Sequence, residues 1–272
     1  MQISHESPLC LLDRSLNYND YDYALVHLFE TYPEYYNFFK ESLKKNRRVI
    51  LDNSIFELGH SFDPDEYATW IKKLEPTDYI VPDELGNVKK TIEMFGNFKS
   101  KNPSLPSKSI GVVHGSTYNE MVTCYNYMNE HADKIAINFI NPIFELLGDP
   151  DSENIWYKMM TGRINFINRL LDDNIINKEK KHHLLGATLP QEFQSYKGYE
   201  WIESLDTSNP IVHAIEGVKY TKKGLKTKRK VKLIEFLTIS IDEINLDLLY
   251  YNIAQFKGLV NENSTIRSPR GR

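Results

Sequence analysis

The chain has 272 residues, 41% of them hydrophobic and 26% charged, with a net charge of −4. That balance suits one ordinary domain with a sizeable core and excludes a disordered or fibrous chain. Two cysteines, Cys10 and Cys124, exclude a disulfide framework and a four-cysteine zinc site, so a reducing, intracellular setting is expected. There is no apolar run of 18 residues and no basic-then-apolar leader, which makes a cytoplasmic protein without membrane contact the expectation.

Strand-like and helix-like segments alternate along the chain. Residues 9–12 read as a first strand and 23–45 as the helix after it. Residues 49–52 form the next strand. Asp63, Pro64 and Glu66 then supply an N-cap, a proline at the first helical position and an acid at the third, predicting a helix to about residue 74. Strand 79–81, helix 88–101 and strand 110–113 follow. Thr117 and Glu120 form a capping box for a helix to about 131. Strand 135–139, a long helix 153–171, strand 184–187, a short helix 190–196 and strand 201–206 complete the pattern. Such alternation predicts an α/β fold with parallel strands. With seven or so such units in some 210 residues and no Gly-rich nucleotide fingerprint, the sequence favours a single-domain, (β/α)8 TIM-like barrel over residues 1–260 rather than a doubly wound sheet. The polar, aperiodic residues 261–272 are expected to be a disordered tail.

Five of these strands end on polar groups: Val49-Ile-Leu-Asp52-Asn53, Tyr79-Ile-Val-Pro-Asp83-Glu84, Ile110-Gly-Val-Val-His114-Gly115, Ile135-Ala-Ile-Asn138 and Trp201-Ile-Glu-Ser-Leu-Asp206. In a barrel these ends share one rim, which is where barrel enzymes build their sites. Asp or Asn after a strand also serves as a turn former or helix cap, and a lone His before Gly is as often a packed loop residue. Carboxylates converging at a rim suit glycosidic chemistry, in which one attacks the anomeric carbon while another moves protons. They equally suit a metal site, and spacing alone does not separate the two. Residues 219–232 hold eight basic side chains in fourteen: Lys219, Lys222, Lys223, Lys226, Lys228, Arg229, Lys230 and Lys232. A solvated loop accounts for such a run, as does contact with a phosphate backbone, which its charge density favours.

The segment Leu184-Leu-Gly-Ala-Thr-Leu-Pro190, followed by Trp201-Ile-Glu-Ser-Leu-Asp206-Thr-Ser-Asn-Pro210, resembles the tRNA-guanine transglycosylase superfamily. In that family a leucine/methionine-glycine strand precedes the strand bearing the nucleophilic aspartate, with a proline four residues on. Val49-Ile-Leu-Asp52-Asn53-Ser-Ile-Phe56-Glu57 is similar to the family's aspartate-serine-glycine-glycine-phenylalanine-glutamine strand end. The segments ending at Asp83-Glu84 and His114-Gly115 resemble its base-binding strands. The matches keep the family's order over about residues 48–215.

The resemblance implies a barrel that breaks a base–sugar bond in a nucleic acid without a cofactor. Asp206 would attack C1′ and Asp52 would act as general acid/base. Asn53, Phe56, Asp83, Glu84, His114, Gly115 and Asn138 would line the pocket for the base, which a duplex must flip out. The chain departs from the family as well. No cysteine follows Cys124, so the family's zinc site is missing and no metal is expected. Ser54 and Ile55 replace two glycines, and Ile211, Val212 and His213 stand where arginines are expected. The resemblance is therefore to shortened, zinc-less phage or antiviral-defence members, and the expected substrate is DNA carrying a modified base. Water resolving the intermediate makes a DNA glycosylase, the reading preferred here; a second base resolving it makes a base-exchanging transglycosylase, acting on DNA or tRNA. A catalytically inactive nucleic-acid-binding barrel and a metal-dependent barrel hydrolase are the alternatives of other classes.

Overall fold

A computed structural model of the chain describes residues 1–228 and 231–261. Eight strands, β1 Gln2–His5, β2 Asp22–Leu25, β3 Val49–Asp52, β4 Asp78–Ile80, β5 Lys108–Val113, β6 Lys134–Asn138, β7 His182–Leu185 and β8 Ile202–Thr207, form one sheet. Every ladder is parallel, in the order β1-β8-β7-β6-β5-β4-β3-β2. The remaining seam, between β1 and β2, is bridged just before β2. Asp20 N–H donates to Ile3 O (2.9 Å), and Ile3 N–H returns a bond to Asp20 Oδ2 (2.9 Å). The result is a nearly closed (β/α)8 barrel, as the strand–helix alternation predicts.

The main helices are α1 Pro33–Lys44, α2 Pro64–Leu74, α3 Val88–Lys101, α4 Tyr118–His131, α5 Pro142–Leu147, α6 Ile155–Asp172, α7 Asn209–Ile215 and α8 Leu246–Val260. The expected caps are present: Asp63 accepts from Asp65 N and Glu66 N, and Thr117 with Glu120 closes a full capping box. Two expectations fail. Residues 9–12 form a 3-10 turn running into a short helix, not a strand, and the first strand is Gln2–His5. Residues 23–25, expected at the start of a helix, belong to β2, and α1 starts only at Pro33. A short apolar run does not by itself distinguish strand from helix, and Pro33 marks the true helix start. Residues 262–272 of the expected tail, and Arg229 and Lys230, lie outside the described residues. Asn261, at the head of that tail, bonds both Met1 N and Met1 O through its side chain. No helix among the described residues is long and apolar enough to cross a membrane.

The two ends of the barrel differ chemically. At the N-terminal end Arg48, Asp78, Lys134 and Glu203 interlock at 2.8–3.1 Å, so the charges there are spent on one another. At the C-terminal end Arg163 of α6 is fully buried. It pairs with Glu192 Oε1 at 2.5 Å and donates to Leu185 O and Gly186 O at 3.1 Å. This one side chain pins the loop that leaves β7.

Arg163 reaches that loop because α5 and α6 meet at backbone distance. A Cβ on Gly162 would lie 1.8 Å from Phe144 O, and backbone cannot swing aside as a side chain can. Gly162→Ala removes the mid-helix glycine penalty of about 1 kcal/mol, yet it is expected to lower the unfolding midpoint. Overpacking of this kind costs roughly 1–3 kcal/mol or more. Denaturant unfolding checks the sign; a gain in stability would contradict the close approach.

Candidate active site

A cavity of about 300 Å³ opens at the C-terminal mouth of the barrel, lined by residues from all eight strands or the loops that follow them, at the lower end of ligand-site sizes of about 300–1,000 Å³. Asp206 is the next-to-last residue of β8. Side chains alternate along a strand, so Ser204 and Asp206 both turn inward. Asp206 Oδ1 accepts from His183 Nε2 (2.9 Å) and from Gly186 N–H (3.2 Å). His183 is itself fixed: Ser204 Oγ lies 3.0 Å from its Nδ1, and the Tyr23 ring stacks on it at 5.9 Å. Gly186 sits at φ +64°, and a Cβ there would strike the Phe139 ring at 2.3 Å, so only glycine brings this N–H to the carboxylate.

Asp52 ends β3. Its Oδ1 accepts from Ser54 N–H (2.6 Å) and its Oδ2 from the Tyr23 hydroxyl (2.5 Å). It therefore forms the turn after β3 and also lines the cavity. Burial, then the charge of nearby Glu57, pushes its carboxyl well above the usual carboxylate range, against the lowering effect of those two bonds.

On the wall formed by β4, β5 and β6, Asp83 takes Asn53 Nδ2 at 2.7 Å on Oδ1 and His114 Nε2 at 2.5 Å on Oδ2. His114 Nδ1 faces Gly86 N–H and Asn138 Nδ2, both at 3.3 Å. Asn138 Oδ1 has no partner among the described residues, although the residue is only 8% exposed. A buried acceptor left open in a cavity wall is suited to a ligand N–H.

Of the expected pocket residues, Asp206, Asp52, Asp83, His114, Asn138 and Phe56 line the cavity. Asn53 is fully buried behind the wall and holds Asp83. Glu84 does not line the cavity; its backbone bonds Thr91. Gly115 also lies off the cavity, where a Cβ would meet Met121 N at 2.7 Å, so its role is close packing against α4.

The basic run divides. Lys219, Lys222, Lys223 and Lys226 are exposed, whereas Lys228 and Lys232 reach the mouth. Lys228 Nζ donates to Ala187 O (2.7 Å) and lies 3.8 Å from the centre of the Phe139 ring; burial lowers it to about 7. Lys232 Nζ donates to Phe56 O (2.9 Å) and Glu57 O (3.2 Å).

Sequence reasoning missed three residues. His183 orients Asp206. Glu57, with Lys232 beside it, is raised by burial to about 7. Glu6 follows β1, its N–H bonded to Thr207 O (3.2 Å), and its carboxyl bonds Asp206. Of the two, Glu6 is the carboxyl driven towards its neutral form. Burial first, then the charges of Asp206, Glu57 and Asp52, raise Glu6 well above its ordinary range.

Raised carboxyls tie stability to pH. A carboxyl with a raised folded pKa stabilises fully below its unfolded value and loses that contribution as pH climbs through the folded one. For Glu57 the window runs from 4.5 to about 7, and for Glu6 it extends above the ordinary carboxylate range. The melting temperature is expected to fall from about pH 4.5 through about pH 7 and to go on falling above it. Glu6→Gln should flatten that fall and raise the melting temperature at the upper end. A lower melting temperature in the variant would contradict the raised Glu6 carboxyl.

No protein-family model and no curated protein matches this chain. Among the described residues, no three His, Cys, Asp or Glu side chains are grouped as a metal site needs.

Proposed function

We propose that this protein is a DNA base N-glycosylase of the tRNA-guanine transglycosylase kind, removing a modified base through a covalent Asp206–sugar intermediate. The observation that carries the reading is the meeting of Asp206, Asp52 and the Asp83–His114 pair in one cavity at the barrel mouth. A base–sugar bond needs all three: a nucleophile at C1′, an acid at the departing base and polar groups along the base edge.

His183 and Gly186 both occupy Oδ1 of Asp206, so attack on C1′ falls to Oδ2. Asp52, kept protonated by burial and by Glu57, gives its proton to the departing base. It then takes one from the water that enters the vacated face, the reverse use of the same group. Asn138 Oδ1 accepts from the base, and His114 and Asp83 fix the wall around it. The apolar rim of Phe56, Leu85 and Ile140, 38–47% exposed, suits a base turned out of the stack. The exposed lysines 219, 222, 223 and 226 face the phosphate backbone.

The test is incubation with unmodified and modified DNA, followed by alkali treatment and mass spectrometry of released bases. Alkali-labile sites with a free base are expected. Incorporation of a labelled 7-deazapurine without any abasic site would replace this reading with base exchange.

A further inference from the structure

We propose that the protein has a second activity, cutting the strand at an abasic deoxyribose through a Schiff base formed by Lys228. This rests on the glycosylase reading for its DNA substrate, since the first reaction leaves just such a sugar in the cavity.

Lys228 is separated from the other lysines of its run by position. Lys222, Lys223 and Lys226 are exposed, while the Lys228 amine lies in the cavity that holds Asp206 and Glu6. Its bond to Ala187 O, at 2.7 Å, sets it one residue from Gly186, whose N–H holds the Asp206 carboxylate. The Phe139 ring at 3.8 Å and the Trp156 ring at 5.8 Å cover it. No carboxylate is paired with it at salt-bridge distance among the described residues. An amine desolvated in this way keeps a substantial neutral fraction near pH 7, and the neutral amine is the nucleophile toward a carbonyl.

The chemistry closes without a co-reactant. The opened abasic sugar presents an aldehyde at C1′. The Lys228 nitrogen adds to that carbon, the carbonyl oxygen takes two protons and leaves as water, and a protonated imine remains. A carboxylate of the Glu6–Asp206 pair takes a proton from C2′. The C–H electron pair forms the C2′–C3′ double bond, and the C3′–O bond breaks with its pair going to the departing phosphate. Water then returns the amine and releases the unsaturated aldehyde.

The experiment supplies the abasic site ready-made, in an oligonucleotide from which uracil has been excised, and adds sodium borohydride to reduce the imine. A covalent protein–DNA adduct is expected, with peptide mapping placing it on Lys228, together with a cut on the 3′ side in the absence of borohydride. Lys228→Met, which keeps the buried stem, and Lys228→Arg, which keeps the charge, should both lose the adduct. Replacement of Lys44 and Lys45 by Ala, both exposed at the C-terminal end of α1 and off the cavity, should retain it. No adduct with the unaltered protein, an undiminished one in both Lys228 variants, or one mapped to another amine would overturn the proposal. The assay does not depend on base release. Base release without an adduct sinks the lyase alone, and an adduct without release on any DNA sinks the glycosylase alone.

Discussion

Asp206→Asn is expected to abolish base release, on the order of 10⁴-fold or more, while leaving the barrel folded. Asparagine keeps Oδ1, so the bonds from His183 and Gly186 survive, and the β7 loop held by Arg163 has no reason to move. What is lost is the anionic oxygen, because an amide does not form the ester with C1′. The variant also removes one charge that raises Glu6, so its melting temperature should equal or exceed that of the parent protein. Loss of release with a retained melting temperature and retained DNA affinity isolates the nucleophile. No base release by the parent protein, with equal DNA affinity in parent and variant, would instead favour a barrel that only binds nucleic acid.

The reasons some of this was legible, and some not, are local. Strands β3, β5 and β8 carry apolar runs that end on Asp or His, so both strand and rim residue announce themselves. β1 reads Gln-Ile-Ser-His, with one aliphatic residue, and its burial is made possible by bonds from remote residues: His5 N–H donates to Asn19 Oδ1 at 2.7 Å. Missing β1 meant missing Glu6, the residue just beyond it. His183 was hidden because its partners, Ser204 and Asp206, are 21 and 23 residues away and meet it only through the β7–β8 register. Glu84 and Gly115 were read with their neighbours, but the chain turns directly after Asp83 and His114, and the next residue follows the turn rather than the cavity. The glycine of Leu-Leu-Gly, in contrast, needs its positive φ, which makes it visible in the sequence.

Asp52→Asn is the second large effect, a loss of about 10²–10⁴-fold in base release, and pH separates it from mere damage. If Asp52 is the acid, release falls as pH rises through its elevated folded pKa, because the proton it donates is then gone. The variant should lose both the rate and that descending limb. Two neighbours move the limb in opposite directions. The Tyr23 hydroxyl bond lowers the Asp52 pKa, so Tyr23→Phe should shift the limb to higher pH. The Glu57 charge raises it, so Glu57→Gln should shift the limb to lower pH, although Glu57 itself titrates near 7. Were Glu57 the acid, its replacement would remove the limb rather than shift it. A limb that persists in Asp52→Asn and disappears in Glu57→Gln would therefore transfer the role of acid from the end of β3 to the one-turn helix Ile55–Leu58 that follows it.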